Sequence, residues 1–183
     1  MGLSIEDGKG SGFQAEVDSD NKLHTHAVTE SIEHQANSAG NAYNIVFSQI
    51  SDTTSSCILY VKNGFEEDIV FEVITLRTSL DDVITIKIND IGIPISGSTI
   101  SPAQLNAGSN KQAEGTFQVG NNITGLSGGT TVARYTIKGD ESSKHYNFDQ
   151  HIFIPKNRVL TVYSRNGSIE VDGILSFFKQ TLV

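Results

Sequence analysis

The chain has no tryptophan, one cysteine and three prolines, and its thirteen Lys and Arg are outnumbered by twenty-one Asp and Glu. Each shortage excludes something. A lone thiol, Cys57, forbids an intrachain disulfide, so stability must come from a buried core rather than covalent staples. Cys57 lies in the apolar run SSCILYVKN, where a small buried hydrophobe is its expected role. No apolar run approaches the ~18 residues that would span a bilayer as a helix. The first residues, MGLSIEDGKG, lack the basic and apolar regions of a secretory signal. They also carry Glu6 where a myristoylation signal has Ser or Thr. Synthesis and assembly in a cytoplasm is therefore expected. With a net charge of −8 and no Lys/Arg stripe interleaved with aromatics, neither nucleic acid nor a membrane is an expected partner.

What the chain does have is turn chemistry and short apolar runs. Its 183 residues suit one domain, long enough to bury roughly 70% of its unfolded surface without a metal. Seventeen glycines and abundant Ser, Thr and Asn punctuate runs at 43–50, 57–63, 68–78, 83–90, 115–120, 131–138, 150–156, 158–165 and 168–179. In 83–90, Ile84, Ile86 and Ile88 alternate with Thr85, Lys87 and Asn89, the period of a half-buried strand. Asn63-Gly64 marks one turn. Asn166-Gly167, between two alternating runs, reads as a hairpin. Residues 91–130 read as a long polar excursion with one strand, and Lys138–Phe148 as a charged loop. About eight strands without intervening helices predict an all-β, antiparallel sandwich. A jelly roll is preferred, with an immunoglobulin-like or other Greek-key sandwich as the alternative.

The pattern changes near residue 40. Residues 1–40 hold seven of the acids and only Lys9 and Lys22 as bases, and their apolar residues stand singly. GFQAEVD and KLHTHAV predict two short strands around Ser19-Asp20-Asn21. Val28, Ile32 and Ala36, four apart, allow a short helix ended by Gly40. The expectation is an extended N-terminal arm, 1–40, followed by a sandwich domain, 41–183. Phe13, Val17, Leu23, His24, His26, Val28, Ile32 and His34 are the expected partner-docking residues of that arm. Fully extended, 40 residues reach about 130 Å.

Chemical motifs are thin. His24 and His26 would share one face of a strand, and His34 or Glu30 could supply a third ligand. Their polar, apolar-poor setting favours solvated or interface histidines, so no metal and no cofactor is expected. There is no G-x-S-x-G elbow, and GKGSG at 8–12 has neither phosphate-loop spacing. Glu66-Glu67, Asp81-Asp82 and Asp140-Glu141 fall in predicted turns, where acids serve solubility. No catalytic residues are expected and the chain is not expected to be an enzyme.

Four segments carry a resemblance: IEDGKGSGFQAEVDSDNKL (5–23), HAVTESIEHQANSAGNAYNI (26–45), LYVKN (59–63) and HIFIPKNRVLTVYSRNGSIEVDGILSFF (151–178). Together they resemble small virion structural proteins of tailed bacteriophages. The resemblance implies a particle subunit, with capsid decoration preferred over a fibre, collar or tail position. It implies the major capsid protein or other virion subunits as partners, and a homo-oligomer, for which symmetry suggests a trimer. A different class, a carbohydrate- or receptor-binding module using loops 91–130 and 139–149, is the alternative.

Overall fold

The computed structural model describes residues 16–17, 23–24, 31–139 and 142–180. Its contacts divide the chain into two units, Met1–Ser31 and Ile32–Val183. In the first, β1 (Glu16–Val17) and β2 (Leu23–His24) pair antiparallel, with Glu16 opposite His24 and Val17 opposite Leu23. The turn expected between them lies outside the described residues.

The second unit begins with α1 (Ile32–Ser38), which Gly40 ends at φ +70°, a conformation that costs glycine little. Ala36 is buried, but Ile32 is 60% exposed, so the expected apolar stripe is narrower than its spacing suggested. Eleven strands follow: β3 (Ala42–Ile50), β4 (Ser56–Asn63), β5 (Ile69–Thr78), β6 (Asp82–Ile95), β7 (Ser98–Thr99), β8 (Ala103–Gln104), β9 (Gly115–Val119), β10 (Thr124–Ile137), β11 (Lys144–Ile154), β12 (Val159–Ser164) and β13 (Glu170–Lys179). They form two antiparallel sheets, ordered β10-β6-β12-β4-β9-β7 and β11-β5-β13-β3-β8. One apolar cluster joins the two inner faces, as a sandwich requires. Ile58, Ile84, Ile86, Leu160 and Val162 come from one sheet; Tyr43, Ile45, Phe71, Ile74, Leu175 and Phe177 come from the other.

Strands adjacent in the chain mostly sit in different sheets. β3, β5, β11 and β13 belong to the five-stranded sheet, and β4, β6, β10 and β12 to the six-stranded one. This corrects the reading of Asn166-Gly167 as a hairpin: β12 pairs with β4 and β6, whereas β13 pairs with β3 and β5. The Asn-Gly segment is a corner between sheets. The Asn166 N–H donates to the Asp82 carboxylate at 3.0 Å, and the Ser51 hydroxyl donates to the Asn166 carbonyl at 2.7 Å. Asn63 builds the β4–β5 corner in the same way. Fully buried, its amide donates to the carbonyls of Glu67 and Ile154 and its oxygen accepts from Phe65 N–H. A buried amide with both ends satisfied can fix a corner without an orphan-group penalty.

Two further expectations need correction. Lys138–Phe148 is not all loop, because β11 starts at Lys144 and pairs with β5. Its alternation was hidden by an irregularity between Asn147 and Ile152, where His151 takes φ +44°. Residues 91–130 hold more strand than expected, since β6 runs on to Ile95 and β10 begins at Thr124. Gly92 and Pro94 masked that continuation. β12 pairs with β6 only as far as Ile88, so Pro94, without an N–H, sits where no second neighbour asks for one.

Each sheet also buries apolar residues on its outer face, and the reason is cover. α1 packs Ala36 with Ala42, Val70 and Phe178 on the outer side of the five-stranded sheet. Ile123 and Leu126 pack over Cys57, Tyr60, Val159 and Tyr163 on the outer side of the other. Inside, Gly173 of β13 leaves room for a ring: a Cβ there would stand 2.2 Å from Phe47 Cζ. Gly173→Ala must therefore push Phe47 aside and is expected to cost about 1–3 kcal/mol. Urea unfolding of the variant checks this, with a reduced midpoint at an unchanged slope as the expected outcome.

Candidate functional site

Reactive groups on the body are largely occupied by structure. Cys57 is buried, and burial, helped by the nearby Asp90 charge, pushes its thiol up to about 12, so it stays protonated and unreactive. Glu66 pairs with Lys156, and Glu67 with Lys179 at 3.1 Å. Asp81 pairs with Lys138 at 2.8 Å. Asp82, expected in a solvated turn, is instead buried, accepting from the Ser164 hydroxyl at 2.6 Å and from the Asn166 backbone. Thr75 Oγ1 and His145 Nδ1 lie 2.7 Å apart because the two residues oppose each other across β5 and β11. The nearby acid Asp172 is taken by Arg77 at 3.0 Å.

The expected docking residues divide by where they fall. Phe13, His26 and Val28 lie outside the described residues. Val17, Leu23 and His24 stand in the β1–β2 pair. Ile32 and His34 are exposed on α1. Of the three-histidine set, His24 stands in the first unit and His34 in the second, and His26 lies outside the described residues.

Within the second unit a different triad is brought together. Glu33 on α1, Glu72 on β5 and His151 on β11 place donor atoms within 4.8 Å of one another. The His151 ring stands edge-on to Phe178 and Phe153, with centroids 6.4 and 6.5 Å away. Burial raises the Glu72 carboxyl above its ordinary value; the Glu33 charge and a hydrogen bond with Glu33 raise it further, and His151 opposes them. No spacing in the sequence announces this triad, because its members come from three separate elements.

The other outlying feature is apolar. Beyond the last β12 pairing, β6 and β10 continue as a two-stranded ribbon, with Ile95 opposite Thr124 and Ile91 opposite Ser127. Ile91, Ile93 and Ile95 are 72%, 80% and 58% exposed there. Isolated surface isoleucines are ordinary, but three at alternate positions of one ribbon form a patch, the kind of surface that marks contact sites. The alternation I-x-I-x-I was the available signal. No family model, curated protein or solved structure matches this chain.

Because the Glu72 carboxyl is raised in the folded state, the native protein holds a proton that the unfolded chain has already released. Stability therefore falls as pH rises through the window from the ordinary carboxyl value, 4.5, to the raised one. Glu72→Gln is expected to flatten that slope and to stabilise the protein at neutral pH. Thermal melts across the window provide the measurement, and a wild-type slope in the variant would count against Glu72 as its source.

Proposed function

We propose that the chain is a non-enzymatic structural subunit of a tailed-phage particle, most simply a capsid decoration protein. The observation that carries the reading is the isoleucine ribbon. Burial is worth about 25 cal/mol per Å² of apolar surface, so Ile91, Ile93 and Ile95 are expected to be covered by another subunit in the working assembly. The resemblance of 5–23, 26–45, 59–63 and 151–178 to virion structural proteins supplies the kind of assembly. On this reading the partners are the major capsid protein or further copies of this chain, a trimer by symmetry, and the site of action is the virion. The acidic segment 1–40, with Phe13, Val17, Leu23, His24, His26, Val28, Ile32 and His34 as contacts, is the arm that docks on neighbouring subunits, and charge complementarity gives it a basic counterpart.

The sandwich is read further as a jelly roll. With β7, β8 and β9 set aside, the eight remaining strands stand in the orders β11-β5-β13-β3 and β10-β6-β12-β4. Consecutive strands then change sheet at every step except β6 to β10, which supports two interlocked Greek keys. Such a fold hosts many functions, so the capsid reading rests on the ribbon and the resemblance rather than on the fold.

The paired change Ile91→Ser and Ile93→Ser tests the assembly role. Both side chains are exposed, so stability is expected to shift by less than about 0.5 kcal/mol. Self-association in sedimentation velocity and incorporation into particles should both drop sharply. A variant that assembles like the wild type removes the ribbon from the interface.

A further inference from the structure

Three cations converge on the outer face of the six-stranded sheet of this acidic protein. Lys87, Arg134 and Arg165 line an open pocket of about 350 Å³ together with Ser55, Thr85 and Thr131. Strand register puts them there. Val83, Thr85 and Lys87 alternate along β6 and share a face. Thr131 stands opposite Lys87, and Arg134 opposite Thr85, although they are three residues apart on β10. A bulge between Thr131 and Ala133 makes this possible by turning both side chains outward. Tyr163 of β12 also opposes Thr85, and Arg165 follows β12, its N–H donating to the Val83 carbonyl.

The floor is built rather than incidental. Lys87 Nζ sits over the Tyr163 ring, 4.3 Å from its centre. The Tyr163 hydroxyl donates to Asp90 at 2.9 Å, and Thr161 donates to the same carboxylate oxygen at 2.5 Å. Asp90 is 6% exposed. It thus orients the ring that holds Lys87, and its charge offsets that one cation. Asp82 is committed to Ser164 and Asn166 and points to the side of Ile84 and Ile86. The guanidinium groups of Arg134 and Arg165, both exposed, have no hydrogen bond or ion pair among the described residues. The same holds for the hydroxyls of Ser55, Thr85 and Thr131.

We propose that this pocket is an oxyanion-binding site, taking a carboxylate, sulfate or phosphate group between Arg134 and Arg165, with Lys87 behind it and the free hydroxyls donating at its rim. Two arginine forks match two-oxygen recognition of such groups, and the pocket has room for a sugar-sized body carrying the anion. The site goes beyond the assembly role, lies on a different part of β6 and β10 from the isoleucine ribbon, and gives a particle subunit something to hold.

Titration of ¹⁵N-labelled protein with inorganic sulfate, inorganic phosphate, acetate and glucuronate, each against matched sodium chloride, tests it. Saturable shifts are expected at the amides of Thr85, Thr131, Arg134 and Arg165, weakening as chloride rises. Saturation by glucuronate at a lower concentration than by the inorganic ions assigns an acidic sugar; the reverse assigns a free sulfate- or phosphate-type group. The double variant Arg134→Gln/Arg165→Gln should retain the wild-type melt, since both side chains are exposed, and lose roughly tenfold or more in affinity. Linear, unsaturable shifts with every probe, or equal binding by the double variant, overturn the proposal.

Discussion

Phe177 stacks on rings from both sheets, and the rest of the molecule depends on that junction. Its centroid lies 5.3 Å from Tyr43 and 5.6 Å from Phe71 in its own sheet, and 5.9 Å from Phe117 in the other. Among the described residues, the inner faces of both sheets are buried in one shared cluster. Because successive strands alternate between sheets, a single hairpin cannot collect a core of its own, and the two sheets must form together. Folding of this kind relies on contacts distant in sequence, which predicts slow, cooperative assembly rather than strand-by-strand growth. Truncating a ring at such a centre costs about 3–5 kcal/mol in comparable cores.

Once the inner faces are consumed by packing, the outer faces are what remains for function. They are treated differently. α1 covers part of the five-stranded sheet and brings Glu33 to Glu72 and His151. The segment carrying Ile123 and Leu126 covers part of the other sheet, while the cationic pocket beside it stays open. The ribbon of β6 and β10 outruns the sandwich altogether. A charged pocket, a carboxylate pair with an imidazole, and an apolar ribbon are three distinct surfaces on one scaffold. Of these, the ribbon is the one that water disfavours most, and the proposed assembly role rests on it.

Fold class was legible because burial writes itself into strand period: Ile84, Ile86 and Ile88 alternate in sequence and face the core. Corner chemistry was legible in part. Asn63-Gly64 and Asn166-Gly167 both mark reversals, yet nothing local distinguishes a hairpin from a step between sheets. Asp82 and Ser51 decide that, and both are distant in the chain from Asn166. Only the later part of β11 was legible, because the irregularity between Asn147 and Ile152 broke its alternation, and the far half of β6 was hidden by Gly92 and Pro94, which read as loop chemistry. The cationic pocket was illegible for a deeper reason. Lys87, Arg134 and Arg165 lie on separate strands, and only register and one bulge bring them together. The buried role of Asp90 is equally invisible beside Asn89 in a sequence that reads simply as polar.

The assembly claim requires a ribbon that is weakly held in the free protein and covered in the particle. Amide hydrogen exchange, compared for the purified chain and for chain bound to particles, reads that difference directly. In the free protein, the Ile91–Ser127 end of the ribbon is expected to exchange far faster than β12 and β13. In particles it should become protected. Ribbon amides that exchange equally fast in both states would contradict it.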